Sequence, residues 1–92
     1  MSFRIEIART RVKKQLRRVP KSDIQRIKKT IATLAHNPAP PGAISLAKDI
    51  YRIRVGDYRV IYKVLFSENV ILIGRIARRN EKTYKNFKAL FE

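Results

Sequence analysis

The chain is predicted to be an α+β domain: an N-terminal strand, an α-helical hairpin, then an antiparallel sheet and a short C-terminal helix. Three observations predict it. Apolar residues alternate with charged ones at Phe3, Ile5 and Ile7; they then recur every three or four residues from Ala8 to Leu34; and they return to a period of two from Tyr51 onward, in runs separated by turn signals. The resulting order is β-α-α-β-β-β-α, with helices expected on one face of a small antiparallel sheet.

Each element has a local reason. Arg4 and Glu6 interrupt the apolar residues of the first run, as in a strand with one buried face. Ala8, Val12, Leu16 and Val19 then form the stripe of a first helix, whose other faces carry Arg9, Arg11, Lys13, Lys14, Arg17 and Arg18. Pro20 is expected to end it. Ile24, Ile27, Ile31 and Leu34 form the stripe of a second helix, with Ser22-Asp-Ile-Gln25 as a capping box at its start and His36-Asn37-Pro38 as its end. Pro38-Ala-Pro-Pro-Gly42 is a stiff connection, since neither side of it has enough apolar residues for a core alone. Three β-rich runs follow, Tyr51 to Val55, Tyr58 to Leu65 and Val70 to Ile76, and Ser67-Glu68-Asn69 marks the turn before the third. Tyr84, Phe87, Leu90 and Phe91 have the spacing of a terminal helix that docks by its apolar side. With 92 residues, the whole of 1–92 is expected to form a single domain.

The hairpin is the most specific part of the sequence. Gly56-Asp57 is a two-residue loop that begins with the residue most tolerant of positive φ, the signal of a primed turn. Closing that turn sets Val55 opposite Tyr58, Arg54 opposite Arg59, Ile53 opposite Val60 and Arg52 opposite Ile61. Opposed residues share a face, so Arg52, Arg54 and Arg59 should cluster, while Tyr51, Tyr58 and Tyr62 lie on the other face in the core, each needing a partner for its hydroxyl. Like charges directly across a ladder are unfavourable. A ligand outside the fold is therefore expected to reward the arrangement, and guanidinium groups match phosphate. The register of the third run is open by one residue, so either Arg75 or Ile76 could face the cluster.

Composition agrees with an anionic partner. Lys and Arg number 22 against 7 Asp and Glu, a formal net charge of +15. Such a surface repels itself and attracts polyanions, which implies a nucleic acid and an acidic protein as partners. There is no Cys, which excludes disulfides and thiol nucleophiles and fits a cytoplasmic setting. No signal-peptide pattern opens the sequence, and its apolar runs are shorter than the roughly 20 residues of a membrane span.

The available chemistry is narrow. One His and seven scattered carboxylates offer no pair at metal-ligand spacing, so no metal is expected. His36 is read as a helix C-terminal residue favoured by the dipole. Gly42, Gly56 and Gly74 do not form a phosphate loop, and no cofactor is expected. Metal-free phosphodiester chemistry or plain binding remains. RNA supplies its own nucleophile, the 2′-OH, so a protein can cleave it by aligning the strand and stabilising charge on the scissile phosphate.

Tyr51-Arg-Ile-Arg-Val-Gly-Asp-Tyr-Arg-Val-Ile-Tyr62, followed by a β-run ending in Arg78 and then by Tyr84, resembles the RelE/ParE superfamily of toxins from bacterial and archaeal toxin–antitoxin pairs. The resemblance extends over nearly the whole chain, including the Val19-Pro20 break and the Asn37-Pro38 helix end. It implies a ribosome-dependent endoribonuclease that cuts mRNA in the A site, with the ribosome, mRNA and a cognate acidic antitoxin as partners. The family's catalytic places are held here by Arg52, Arg54, Arg59, Arg78 and Tyr84. Arg59 and Arg78 would neutralise the scissile phosphate, and Tyr84 would stack on a base and orient or deprotonate the 2′-OH. Lys63, Arg75 and Arg79 are added as RNA-binding candidates. Arg52 and Arg54 stand where well-studied members carry lysines, and an arginine is a poor base at neutral pH. Glu81 is therefore a second candidate base.

Other readings of these residues stay open. Arg52 and Arg54 could form a solvated strand face, Arg79 could exchange roles with Arg78, and Tyr84 could pack with the last helix. The ParE branch of the same superfamily shares the scaffold and poisons DNA gyrase. A non-catalytic RNA-binding protein would keep salt-sensitive affinity without cutting.

Overall fold

The computed structural model of the chain describes residues 2–79 and 86–91. The elements run β1 (Arg4–Ile7), α1 (Thr10–Arg17), α2 (Lys21–Leu34), β2 (Ile44–Ala47), β3 (Ile50–Val55), β4 (Tyr58–Leu65) and β5 (Val70–Arg78). Short 3₁₀ segments lie at Phe66–Glu68 and Phe87–Phe91. The five strands form one sheet in the order β1-β5-β4-β3-β2.

The helical stripes bury as their spacing predicts. Val12, Val19, Ile27 and Leu34 pack with Ile53, Val55, Tyr58, Val60, Tyr62, Val64, Ile71, Ile73 and Ile76 in the main core, on one face of the sheet. The helix ends differ from expectation. α2 begins at Pro20, whose carbonyl accepts from Asp23 and Ile24 N–H, so Ser22 lies inside the helix and no side-chain capping bond forms. Proline preset near helical φ starts this helix as effectively as it stops the one before. At the other end Thr33 O accepts from His36 and Asn37 N–H, and Ala35 O accepts from Phe3 N–H at 2.7 Å, which ties the entry of β1 to the end of α2. Asn37 does not adopt positive φ.

The sheet corrects three expectations. β1 joins it parallel to β5, so the sheet is mixed, with its other pairings antiparallel. β2 is an additional strand, four residues long and bulged between Ser45 and Ala47 against β3. The C-terminal segment is 3₁₀ over Phe87–Phe91, and it covers the sheet face opposite the two helices. There Leu90 joins Ile50 and Ile61 in a second small core, with Phe87 and Phe91 packed against it. Gly74 makes this possible, because a Cβ at that position would stand 2.6 Å from Cζ of Phe91.

Among the tyrosines, Tyr62 is fully buried, stacks on Tyr51 with ring centroids 5.7 Å apart, and donates its hydroxyl to Pro38 O at 2.6 Å. That bond pins the Pro-rich connection onto the sheet. Burial, and secondarily the neighbouring Tyr51, push the Tyr62 phenol above the ordinary tyrosine value. No helix among the described residues is long and apolar enough to cross a membrane.

Two predictions follow from this packing. Tyr62→Phe leaves Pro38 O without its donor and should cost about 1 kcal/mol, a fall of roughly 4–8 °C in Tm, read by circular dichroism. Because the folded phenol ionises later than the unfolded one, its contribution is complete below pH 10.0 and is lost as pH rises above it, a slope that Tyr62→Phe should reduce. Gly74→Ala should cost about 1–3 kcal/mol by overpacking, measured by urea melts. Adding it to Phe91→Ala should cost little more than Phe91→Ala alone, because the clash is with that ring.

Candidate nucleic-acid interface

The turn between β3 and β4 carries Gly56 at φ +58, while Asp57 keeps negative φ, the pattern of a II′ hairpin. The ladder it sets is the one expected: Tyr51 opposite Tyr62, Arg52 opposite Ile61, Ile53 opposite Val60, Arg54 opposite Arg59 and Val55 opposite Tyr58. Ile53, Val55, Tyr58 and Val60 belong to the main core. Arg52, Arg54 and Arg59 consequently share the other face. Arg54 is exposed and Arg52 and Arg59 are half-buried, with Arg59 Nε out of contact with solvent, so the stem of this side chain is packed on the sheet.

Ile61 and Lys63 continue the same face of β4, with Ile61 in the second core. Lys63 therefore shares the arginine face but stands beyond Ile61, about 13 Å of strand away from Arg59. The sheet face has a cationic end near the turn and an apolar end covered by Phe87, Leu90 and Phe91.

β5 resolves the open register. Its pairing with β4 shifts between Ile61 and Tyr62, where Gly74 is the extra residue of a bulge. The bulge resets the alternation. Ile73 and Ile76 both enter the main core, so Ile76 does not face the arginines. Arg75, opposite Ile61 in the ladder, lines a groove beside α1. Burial first, then the charges of Arg11 and Arg9, hold its guanidinium below the ordinary value. Arg78 pairs with Tyr58, and its guanidinium carbon stands 5.7 Å from the centre of that ring, a cation–π contact on the main-core side. Arg59 pairs with Ala77, so Arg78, one residue later, stands on the opposite side of the ladder from Arg59. Arg79 is exposed at the end of β5, held by its N–H to Asp57 O at 2.9 Å.

Tyr84 and Glu81 lie outside the described residues. One functional group escaped the sequence reading. Gln15 Oε1 accepts the Ile76 N–H at 2.8 Å and so satisfies the edge of β5 beyond the end of β1. A glutamine on the polar side of a basic helix carries no sequence signal for that role.

Comparison with known proteins agrees with this architecture. A family model described as the ParE toxin of type II toxin–antitoxin systems, parDE, matches residues 6–83. RelE1 of Methanocaldococcus jannaschii is 38% identical over 91 residues, covering 94% of this chain and 99% of the relative. The RelE of Pyrococcus horikoshii, crystallised as a RelE–RelB complex, is 32% identical, with a TM-score of 0.75 over 88% of this chain and 99% of its own. The isolated RelE toxin of Escherichia coli shares the fold, with a TM-score of 0.74 at 18% identity, over 98% of this chain and 96% of that one. The chain belongs to the RelE/ParE superfamily and is the toxin component of a type II toxin–antitoxin system.

Proposed function

We propose that this toxin is a ribosome-dependent endoribonuclease that cleaves mRNA in the A site. The observation that carries the reading is the placement of Arg54 directly opposite Arg59, with Arg52 on the same face, where the ladder gains nothing from like charges. A scissile phosphate held between them would offset that repulsion.

The reaction needs little from the protein beyond position and charge. The 2′-OH attacks the adjacent phosphorus, the P–O5′ bond breaks, and the products are a 2′,3′-cyclic phosphate and a 5′-OH that takes up a proton. Arg59, with its packed stem, is the best-positioned group to neutralise the charge that grows on the non-bridging oxygens, and Arg52 and Arg54 hold the flanking strand. Arg78 serves at the rim, at the end of β5 beside the hairpin turn. Guanidinium groups remain protonated, so the proton transfer falls to Tyr84 or Glu81. Lys63, Arg75 and Arg79 add positive charge around the strand's path.

Primer extension on a defined mRNA programmed on purified ribosomes tests this reading. Cuts at A-site positions that require ribosomes are expected, and Arg59→Ala should slow them by about 10²–10³-fold while leaving ribosome binding intact. Intact mRNA with the unaltered protein would overturn the assignment.

One observation favours a second reading. The matching family model carries the parDE description, and a gyrase poison on this scaffold would need no RNA-cleaving groups. Inhibition of gyrase supercoiling by a protein that leaves mRNA whole would establish it.

The net charge of +15 and the crystallised RelE–RelB complexes support a cognate acidic antitoxin. Co-expression with the neighbouring reading frame should yield a complex that no longer cuts mRNA. A toxin that purifies alone and active from such cells would contradict this.

A further inference from the structure

The pairing of β1 with β5 ends at Ile73, whose carbonyl accepts the Ala8 N–H at 2.9 Å, while β5 runs on to Arg78. Past the bulge at Gly74, the edge of β5 turned away from β4 has no strand beside it among the described residues. Ile76 N–H lies on that edge, and its acceptor comes from α1: Gln15 Oε1, at 2.8 Å and 61 positions away in sequence. Ile76 is 3% exposed, so without this acceptor its N–H meets little water, and the strand end must shift to find some.

Few residues of α1 suit this task. The polar side chains of Thr10–Arg17 are Thr10, Arg11, Lys13, Lys14, Gln15 and Arg17, and four of the six are cations, which donate and do not accept. Thr10 stands at the other end of the helix. Gln15 alone combines a long side chain with a carbonyl oxygen. Its bond opens a short path to the hairpin. Arg78, two residues beyond Ile76, pairs with Tyr58 and holds its guanidinium carbon 5.7 Å from the centre of that ring. Arg79 N–H reaches Asp57 O in the turn at 2.9 Å, and Ala77 pairs with Arg59. The end of β5 is thus gripped by the hairpin along one edge and by Gln15 on the other.

We propose that Gln15 is a positioning residue for Arg78: by accepting the Ile76 N–H it fixes the end of β5, and so holds the Arg78 guanidinium where charge develops on the scissile phosphate. The inference rests on the reading of this chain as an endoribonuclease with Arg78 at the rim of its site. Charge stabilisation works through groups already in place when the reaction begins, and a misplacement of about 1 Å can slow a reaction by up to about 10²-fold. A residue that touches no RNA can therefore set the rate.

Two variants of the full-length toxin separate positioning from plain stability. Gln15→Leu keeps apolar bulk and helix propensity and removes the acceptor, whereas Gln15→Glu keeps an acceptor at the same reach. The first readout needs no ribosome: exchange of the Ile76 amide, followed by NMR, should be about tenfold faster in Gln15→Leu and near its original rate in Gln15→Glu. The second is single-turnover primer extension over a range of programmed-ribosome concentrations. Gln15→Leu should lower the maximal cutting rate about tenfold and leave the half-saturating concentration within about twofold, and Gln15→Glu should restore the rate. Gln15→Leu added to Arg78→Ala should slow cutting no further than Arg78→Ala alone, because the two act as one unit.

Unchanged Ile76 exchange in Gln15→Leu, or faster exchange with undiminished cutting, would overturn the positioning role. A higher half-saturating concentration at an unchanged maximal rate would put the amide itself on RNA, and losses that multiply in the double variant would show that Gln15 acts apart from Arg78; either result overturns it, as does normal cutting by Arg78→Ala. In all these cases cutting by the unaltered toxin leaves the nuclease reading intact. Intact mRNA with the unaltered toxin overturns that reading and this role together.

Discussion

Gly56 holds φ at +58, and its missing side chain leaves room for Arg26 of α2, whose Nη1 would lie 3.0 Å from a Cβ there. Both conditions select glycine, and the II′ turn they permit fixes which residue of β3 faces which residue of β4. The functional reading depends on that register. A slip of one residue by β4 would turn Arg59 into the main core and carry Tyr58 and Val60 out of it, and a slip by β3 would do the same to Arg54 against Ile53 and Val55. Burying an unpaired cation costs several kcal/mol. The arginines that weaken the hairpin on one face therefore also forbid its wrong pairings, and the apolar residues behind them supply the stability. Aromatic and β-branched pairs such as Ile53–Val60 and Val55–Tyr58, each worth some tenths of a kcal/mol across the ladder before burial is counted, offset a single like-charge pair of similar size.

The two faces of the sheet are built differently because different elements cover them. On one side, two helices supply continuous apolar stripes and close the core. On the other, among the described residues, Phe87, Leu90 and Phe91 cover the end around Ile50, Ile61 and Gly74. The end toward the turn keeps its arginines. This division places a dry, packed region beside a cationic one on the same strands, and half-buried Arg59 packs its stem where the two meet. Rigid support of this kind limits the rotamer freedom lost on binding a phosphate.

What was legible in the sequence follows from periodicity. Val12, Val19, Ile27 and Leu34 announced both helices and their buried faces, and the hairpin ladder could be written residue by residue because turn length and alternation determine it together. The failures share a cause too: each depends on a contact distant in sequence. β1 lies parallel to β5 because the helical hairpin returns the chain across the sheet, and nothing within Arg4–Ile7 encodes that direction. β2 is too short and too irregular for alternation to register. The bulge at Gly74 sets Arg75 opposite Ile61 and Arg78 across from Tyr58, and Phe91, seventeen positions later, fills the space a side chain at Gly74 would need. Ser22-Asp-Ile-Gln25 had the right composition for a cap, but Pro20 begins the helix two residues earlier.

The charge distribution links the proposed partners to one another. Cations crowd the hairpin and α1, so self-repulsion acts against the compact state in both regions. Any polyanion that occupies either surface relieves part of it and stabilises the fold by mass action. On the proposed reading, ribosomal RNA and an acidic antitoxin draw on the same positive field even where they touch different residues, since neutralising one region lowers the potential that attracts a ligand to the other. Within a Debye length of about 8 Å at physiological ionic strength this coupling is strong, and beyond it salt screens it. Inhibition by an antitoxin thus need not require that it cover every arginine of the hairpin: a carboxylate-rich segment seated near Arg54 and Arg59 removes both the phosphate site and much of the attraction that would bring RNA to it.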